Sequence, residues 1–310
     1  MASSIRASHF GDPEGSVPQF RIKETSLLRR RLSAFWSSPA SRLGLIALLF
    51  IFFLALLPAE WLPHNPTLVD LSVANRAGLW VGDWEFPLGT DFLGRDMVSR
   101  AIHATRLTLI ISGSAVLIAA IVGIVLGLLA GYYGKWVDEA ISWLIDVQLA
   151  FPVIALAVAI IALLGGSLVS LIVVLATTSW STIARVVRAQ TLSARNEVYV
   201  EAAQAIGVPI GGIMLRHILP NVLSAVLAVV AYEMSRLVLT ESALSFLGLG
   251  VAPPLVTWGG MIGDGRNYIY DAWWTATVPG LMIALMVFAF NFVADGLRDA
   301  FDPVTWVKRK

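Results

Sequence analysis

Cysteine is absent from the sequence, which excludes disulfide frameworks and thiolate metal sites and fits any compartment. Charge is scarce as well: Asp, Glu, Lys and Arg make up 14% of 310 residues, where a soluble domain carries roughly a quarter. The four histidines (His9, His64, His103 and His217) form no HExxH pair of the kind that holds zinc. Nucleotide and nucleophile signatures are missing too. Gly134-Lys135 has the end of a phosphate loop, but positions 129 and 136 are Leu and Trp, so no Walker A exists and any ATP must be hydrolysed by another chain. Gly165-x-Ser167 lacks the closing glycine of a nucleophile elbow, because position 169 is Val. Gly259-Gly260 and Gly263-x-Gly265 follow no predicted strand, which removes a dinucleotide fingerprint. No catalytic residue, bound cofactor or metal site is expected in this chain.

What is abundant is apolar. Hydrophobic residues form 57% of the chain, with eleven tryptophans suited to water–lipid boundaries. The expected fold class is an all-α integral membrane protein with six transmembrane helices. Residues 1–41 read as a basic cytosolic tail carrying Arg6, Arg21, Lys23, Arg29, Arg30 and Arg31. The first apolar run starts too late for a cleaved signal peptide, so it is expected to serve as an uncleaved anchor. It covers residues 42–62, charge-free over 43–59, and the preceding arginines place the N-terminus in the cytosol. Residues 63–103 form an extracytoplasmic segment, and residues 104–300 a core with the other five spans. Residues 301–310 form a cytosolic tail with Lys308, Arg309 and Lys310.

Span two is the uncharged stretch 107–134, where Gly123, Gly127 and Gly131 recur every four residues as a ridge for close helix packing. A tight cytosolic turn follows at 132–139, then span three from 140 to about 164. Residues 147–184 carry no charge, enough for the rest of span three and most of span four, broken at Gly165-Gly166-Ser167. Span five, 218 to about 248, holds Glu233, Arg236 and Glu241; charged side chains in a bilayer face a protein interior or a water-filled path. Glu233 and Arg236, at i and i+3, can neutralise each other, either to fix packing or where substrate passes. With Asp146 of span three, these are the translocation-pathway candidates. Span six is 272–294.

Between spans four and five lies a polar island, EVYVEAAQAIGVPIGGIMLRHILPN, at residues 197–221. Asn196 can cap a helix with Glu197 in its first turn. Tyr199, Ala202, Ala203 and Ile206 fall at i, i+3, i+4 and i+7, on one face small enough for a partner to approach closely. Gly207 stops the helix as a C′ glycine and Pro209 opens the next turn. On spacing alone this is an amphipathic helix that names no partner.

Glu201-Ala202-Ala203, then Gly207, then Ile218-Leu219-Pro220-Asn221 resembles the EAA loop of ABC importer permeases. Two more strings resemble the dipeptide, oligopeptide and nickel subfamily: PLGTDFLGRDMVSR (residues 87–100) and ESALSFLGLGVAPPLVTWGGMI (residues 241–262). Physically, the first is a turn and short helix leading into span two. In the second, Gly248 and Gly250 end a helix, Pro253-Pro254 stiffen the exit and Trp258 can sit at the interface. Phe86 stands where that subfamily often has His, and Ala104 where Gly is common. The likeness runs from residue 88 onward.

The resemblance implies the type I importer permease fold, and a coupling helix seated in a groove of a cytosolic ATPase. Tyr199, Glu201, Ala202, Ala203, Ile206 and Gly207 would make that contact. It implies a second homologous permease subunit, two ABC ATPase subunits that bind ATP and Mg, and an extracytoplasmic substrate-binding protein, in contact with membrane lipid and with no nucleic acid. The cargo implied is di- or oligopeptide, with nickel chelates, glycosides, opines or antimicrobial peptides as alternatives. A stand-alone channel or ion-driven carrier is the competing class, and would place ionisable groups at mid-membrane in several spans. An exporter half is disfavoured because that class has no EAA loop.

Overall fold

The structure is a computed structural model that describes residues 33–301. The greater part of the expected N-terminal tail, and residues 302–310, lie outside the described residues. Among the described residues, five helices are long and apolar enough to cross a membrane, and a sixth crossing is available if one sharply bent pair counts as a span.

Helix α1, Pro39–Leu56, starts where Ser38 accepts from the Ser41 amide and Pro39 fills the first turn. It stops short of the expected residue 62. Leu57 precedes Pro58 and is extended, and Ala59–Trp61 is a separate short turn. Residues 57–96 then form a small lobe of turns. Helix α2, Met97–Tyr133, is 37 residues long, capped by Asp96, which accepts from the Val98 and Ser99 amides. At 1.5 Å per residue it is about 55 Å long, well beyond the ~30 Å hydrocarbon core, so it begins some ten residues before the expected start of span two.

Span three departs most from expectation. Gly134 turns the chain with φ +64°, and α3, Lys135–Ala150, begins at once rather than after a turn to 139. At Phe151-Pro152 the chain bends by 92° into α4, Val153–Leu164. Proline has no amide hydrogen and drives the residue before it out of the helical region; Phe151 is extended at ψ 135°. Only α4 is apolar throughout. Helix α3 is two-sided, with Trp136 and Trp143 exposed.

Helix α5, Leu168–Arg195, opens with a capping box between Ser167 and Ser170 and packs along α2. The glycine ridge explains the fit. A Cβ on Gly123, Gly127 or Gly131 would lie 2.8, 2.6 or 2.6 Å from the Cβ atoms of Ile183, Val187 and Thr191. Two four-residue repeats, one of nothing and one of β-branched side chains, interlock.

After the short helix α6, Val198–Ala205, helix α7 runs Ile210–Phe246. Residues Ile213–Ile218 within it are π-helical, just before Pro220 removes an amide donor, so the span begins earlier than residue 218. Helix α8, Trp258–Gly265, is capped by Thr257, and α9, Trp274–Phe301, closes the bundle against α7 and α1. Two buried clusters form the core. One joins α1, α2, α5, α7, α8 and α9 around Ile111, Leu171, Leu237, Trp258 and Met286. The other joins the opposite half of α2, α5 and α7 to α6 through Ile183, Val187, Val200, Ala203, Ile213 and Ile218.

Candidate functional site

The α6 loop is the first candidate. Asn196 does not cap α6; it ends α5, its Nδ2 reaching back to the Leu192 carbonyl at 3.4 Å, and Glu197 occupies the cap position of α6 with no side-chain bond. The two helices abut, which leaves no extended residue before Glu197. At the other end the Val208 amide donates to Ala203 O and the Gly207 amide to Gln204 O, both at 3.0 Å, with Gly207 at φ +80°. This is the Schellman pattern, and glycine supplies the positive φ.

Residues Val200 and Ala203 are buried at 0% and 4% in the second core cluster. Ala203 was expected beside Tyr199, Ala202 and Ile206, but the structure separates them. With about 100° between successive residues, the inward direction falls between Val200 and Ala203, leaving Tyr199, Ala202 and Ile206 outside with Glu201. Ile206 is 81% exposed, and Val198, which spacing did not single out, is 77% exposed. Asn221 donates to Tyr199 Oη at 3.0 Å, tying the loop to the foot of α7. Arg188 forks onto Asp138, with Nη2 at 2.7 Å, joining α5 to α3. An apolar knob is thus mounted on the core.

The four expected pathway residues fall in three places. Glu233 is 1% exposed and accepts from Arg236 Nε at 2.9 Å. Arg236 Nη2 also donates to Thr178 O and Ser179 Oγ, both at 3.1 Å, so the pair pins α7 to α5. Glu241, two turns further along α7, is fully buried and accepts from Ser245 Oγ at 2.7 Å. Asp146 meets Arg185 at 2.9 Å on the exposed side of α3 and α5. One turn before Arg236, Tyr232 lines a cavity of about 720 Å³ between α5, α7 and α9, with Gln190, Asp295 and Arg298. Arg236 is partly exposed at 31% of its side chain, and Asp146, at 71%, is the most open of the four.

The opposite end of the bundle is built by the two strings quoted from residues 87–100 and 241–262. Thr90, Asp91 and Asp96 are buried. Asp91 accepts from the Leu93 and Arg95 amides, from Arg95 Nε at 2.7 Å and from Arg100 Nη1 at 2.7 Å. Gly94 is required by proximity: a Cβ there would lie 1.7 Å from Asp70 O. Trp274 Nε1 donates to Thr90 O and Trp258 Nε1 to Ala101 O, both at 2.9 Å. Trp258 is therefore a fully buried strut and not an interface anchor. Sequence reasoning missed Asp264 and Trp274, which join this end only through the fold.

These helices define a class, a multi-pass helical membrane protein. The inward-facing MetNI methionine ABC transporter shares the fold at TM-score 0.52 and 19% identity, covering 64% of this chain and 95% of that one. The family described as binding-protein-dependent transport system inner membrane component matches residues 123–307, and the chain belongs to it. It is 41% identical over 279 residues to the di/tripeptide transport system permease protein DppC of Pseudomonas aeruginosa, spanning 88% of this chain and 92% of that one. The dipeptide transport system permease protein DppC of Alkalihalophilus pseudofirmus is 38% identical over 295 residues, 94% of this chain and 95% of that one. The glutathione transport system permease protein GsiD of Pectobacterium atrosepticum is 41% identical over 216 residues, 70% and 72% of the two chains.

Proposed function

We propose that this chain forms half of the translocation pathway of an ABC importer for di- or oligopeptides in the bacterial cytoplasmic membrane. A second homologous permease supplies the other half, two ATPase subunits hold ATP and Mg, and an extracytoplasmic protein delivers the cargo. With the bent α3–α4 pair counted as a crossing, both termini and the α6 loop lie in the cytosol, and the 57–96 lobe lies outside. The names of the relatives, peptide and glutathione permeases aligned over most of this chain, support peptide cargo.

The observation that carries the coupling role is the exposed apolar surface of Val198 and Ile206 on a helix whose inner face is locked into the core. Large apolar side chains standing in a polar loop mark a protein contact. Force applied there reaches α2, α5 and α7 directly, because Val200 and Ala203 share a cluster with them. Coupling requires that the ATPase hold this helix differently in its two states. Gly207→Asp sets a carboxylate beside the knob at a position with no heavy atom within 4 Å of the added carbon. In the reconstituted complex it is expected to abolish peptide uptake while the spans stay folded and ATP hydrolysis continues. Normal uptake by this variant refutes the assignment.

A further inference from the structure

The lobe end encloses a cavity of about 800 Å³, within the range that holds small ligands. Arg95, Arg100 and Arg266 line it, with Asp264 as the acid on its wall. Asp91 lies behind the buried Arg100 and the partly buried Arg95 and is committed to both at 2.7 Å. Three guanidinium groups therefore face two carboxylates, an excess of one positive charge. Asp264 is held loosely: it stands 3.4 Å from Arg95 Nη2 and 3.3 Å from Arg100 Nη2, and its side chain is 46% exposed. Burial pushes its carboxyl above the usual range, with Arg95 opposing that shift and Asp91 adding to it. Arg100 keeps its buried Nε without a hydrogen-bond partner among the described residues. Arg266 pairs with no carboxylate among the described residues and rests over the Phe246 ring at 5.7 Å.

We propose that this cavity is a carboxylate site of the permease itself, which takes the C-terminal carboxylate of a short peptide on Arg95 and Arg100 in place of Asp264. A resident carboxylate at long distance shows both the chemistry the arginine pair accepts and the ease of exchanging it. Planar guanidinium forks match a carboxylate by paired donors, and such bonds strengthen away from water. Much of the remaining wall, including Gly248, Gly250, Pro253 and Val256, is glycine or apolar, with hydroxyls from Thr67, Ser245 and Thr257, and suits cargo of varied side chains. Delivered peptide would meet this site before the membrane interior. The inference rests on the peptide reading above and gives that cargo a fixed end.

The test uses the permease pair with its ATPase subunits in lipid nanodiscs, without the binding protein, titrated calorimetrically with the dipeptide Ala-Phe and with Ala-Phe amide. The acid is expected to bind and the amide to bind at least about 10-fold more weakly, the scale of one lost charge-assisted bond. Asp264→Asn, which spares both Asp91 pairs, is expected to tighten acid binding several-fold. Arg95→Gln is expected to weaken it about 10-fold, and rescue by Arg95→Lys would be partial. Equal binding of acid and amide overturns the proposal, as does no effect or weakening from Asp264→Asn. So does absence of peptide binding while the complete importer still takes up Ala-Phe, a result that leaves the peptide reading standing. Absence of uptake by the complete importer refutes that reading instead. If Asp264→Asn tightens docking of the binding protein and peptide acid and amide stay indistinguishable, the arginines serve a protein carboxylate and the proposal falls.

Discussion

The Glu233–Arg236 pair makes an asymmetric prediction. Glu233 is 1% exposed and, among the described residues, its only charged partner is Arg236, at 2.8–2.9 Å. Arg236 is 31% exposed and keeps two further acceptors, Thr178 O and Ser179 Oγ. Arg236→Met strands a buried carboxylate, a loss of about 3–5 kcal/mol. Glu233→Gln removes one charged bond but leaves the arginine solvated and bonded, at a cost of about 1–2 kcal/mol. The double variant no longer carries a buried unpaired charge, so it is expected to recover about 2 kcal/mol relative to Arg236→Met. Unfolding of the purified full-length variants in detergent, followed by tryptophan fluorescence, measures all three. Equal losses from the two single variants, or a double variant no better than Arg236→Met, refute the reasoning. Uptake per folded molecule then separates the roles, because a pair that only fixes packing leaves it intact in Glu233→Gln.

Gly127→Val places methyl groups where a Cβ already lies 2.6 Å from Val187. It is expected to cost about 1–3 kcal/mol by overpacking, with Gly127→Ala milder, read from the same unfolding curves. Gly94→Ala puts carbon 1.7 Å from Asp70 O; limited proteolysis is expected to cut within residues 57–96 far faster than in the native chain. Gly207→Asn tolerates the positive φ at 207 without adding charge, so uptake is expected to survive where Gly207→Asp loses it. Equal loss in both would assign the defect to backbone geometry.

Long uncharged runs made α2, α5 and α9 legible, because a bilayer demands some 20 apolar residues and a bend cannot hide them. The glycine ridge was legible for a similar reason: four-residue spacing places its members on one face whatever packs there. The α3–α4 pair was not. Its apolar content averages to a span, and the break rests on Phe151-Pro152, whose effect depends on whether neighbouring helices accommodate a kink. The inward direction of α6 was also hidden, since the spacing of Tyr199, Ala202, Ala203 and Ile206 fits a stripe whose limits are set by the neighbouring helices.

By itself, then, the order of residues determined a membrane bundle of helices with a polar loop containing Gly207 between two of its long apolar helices. Hydropathy and helical period act locally, and a chain in lipid must satisfy its backbone within each helix. Only the tertiary structure decided that Ala203 faces the core, that Glu241 stands apart from the Glu233–Arg236 pair, and that Asp264 meets arginines at positions 95 and 100. Those are contacts between separate helices and between residues more than 160 positions apart, and no local periodicity encodes which distant side chains share a wall.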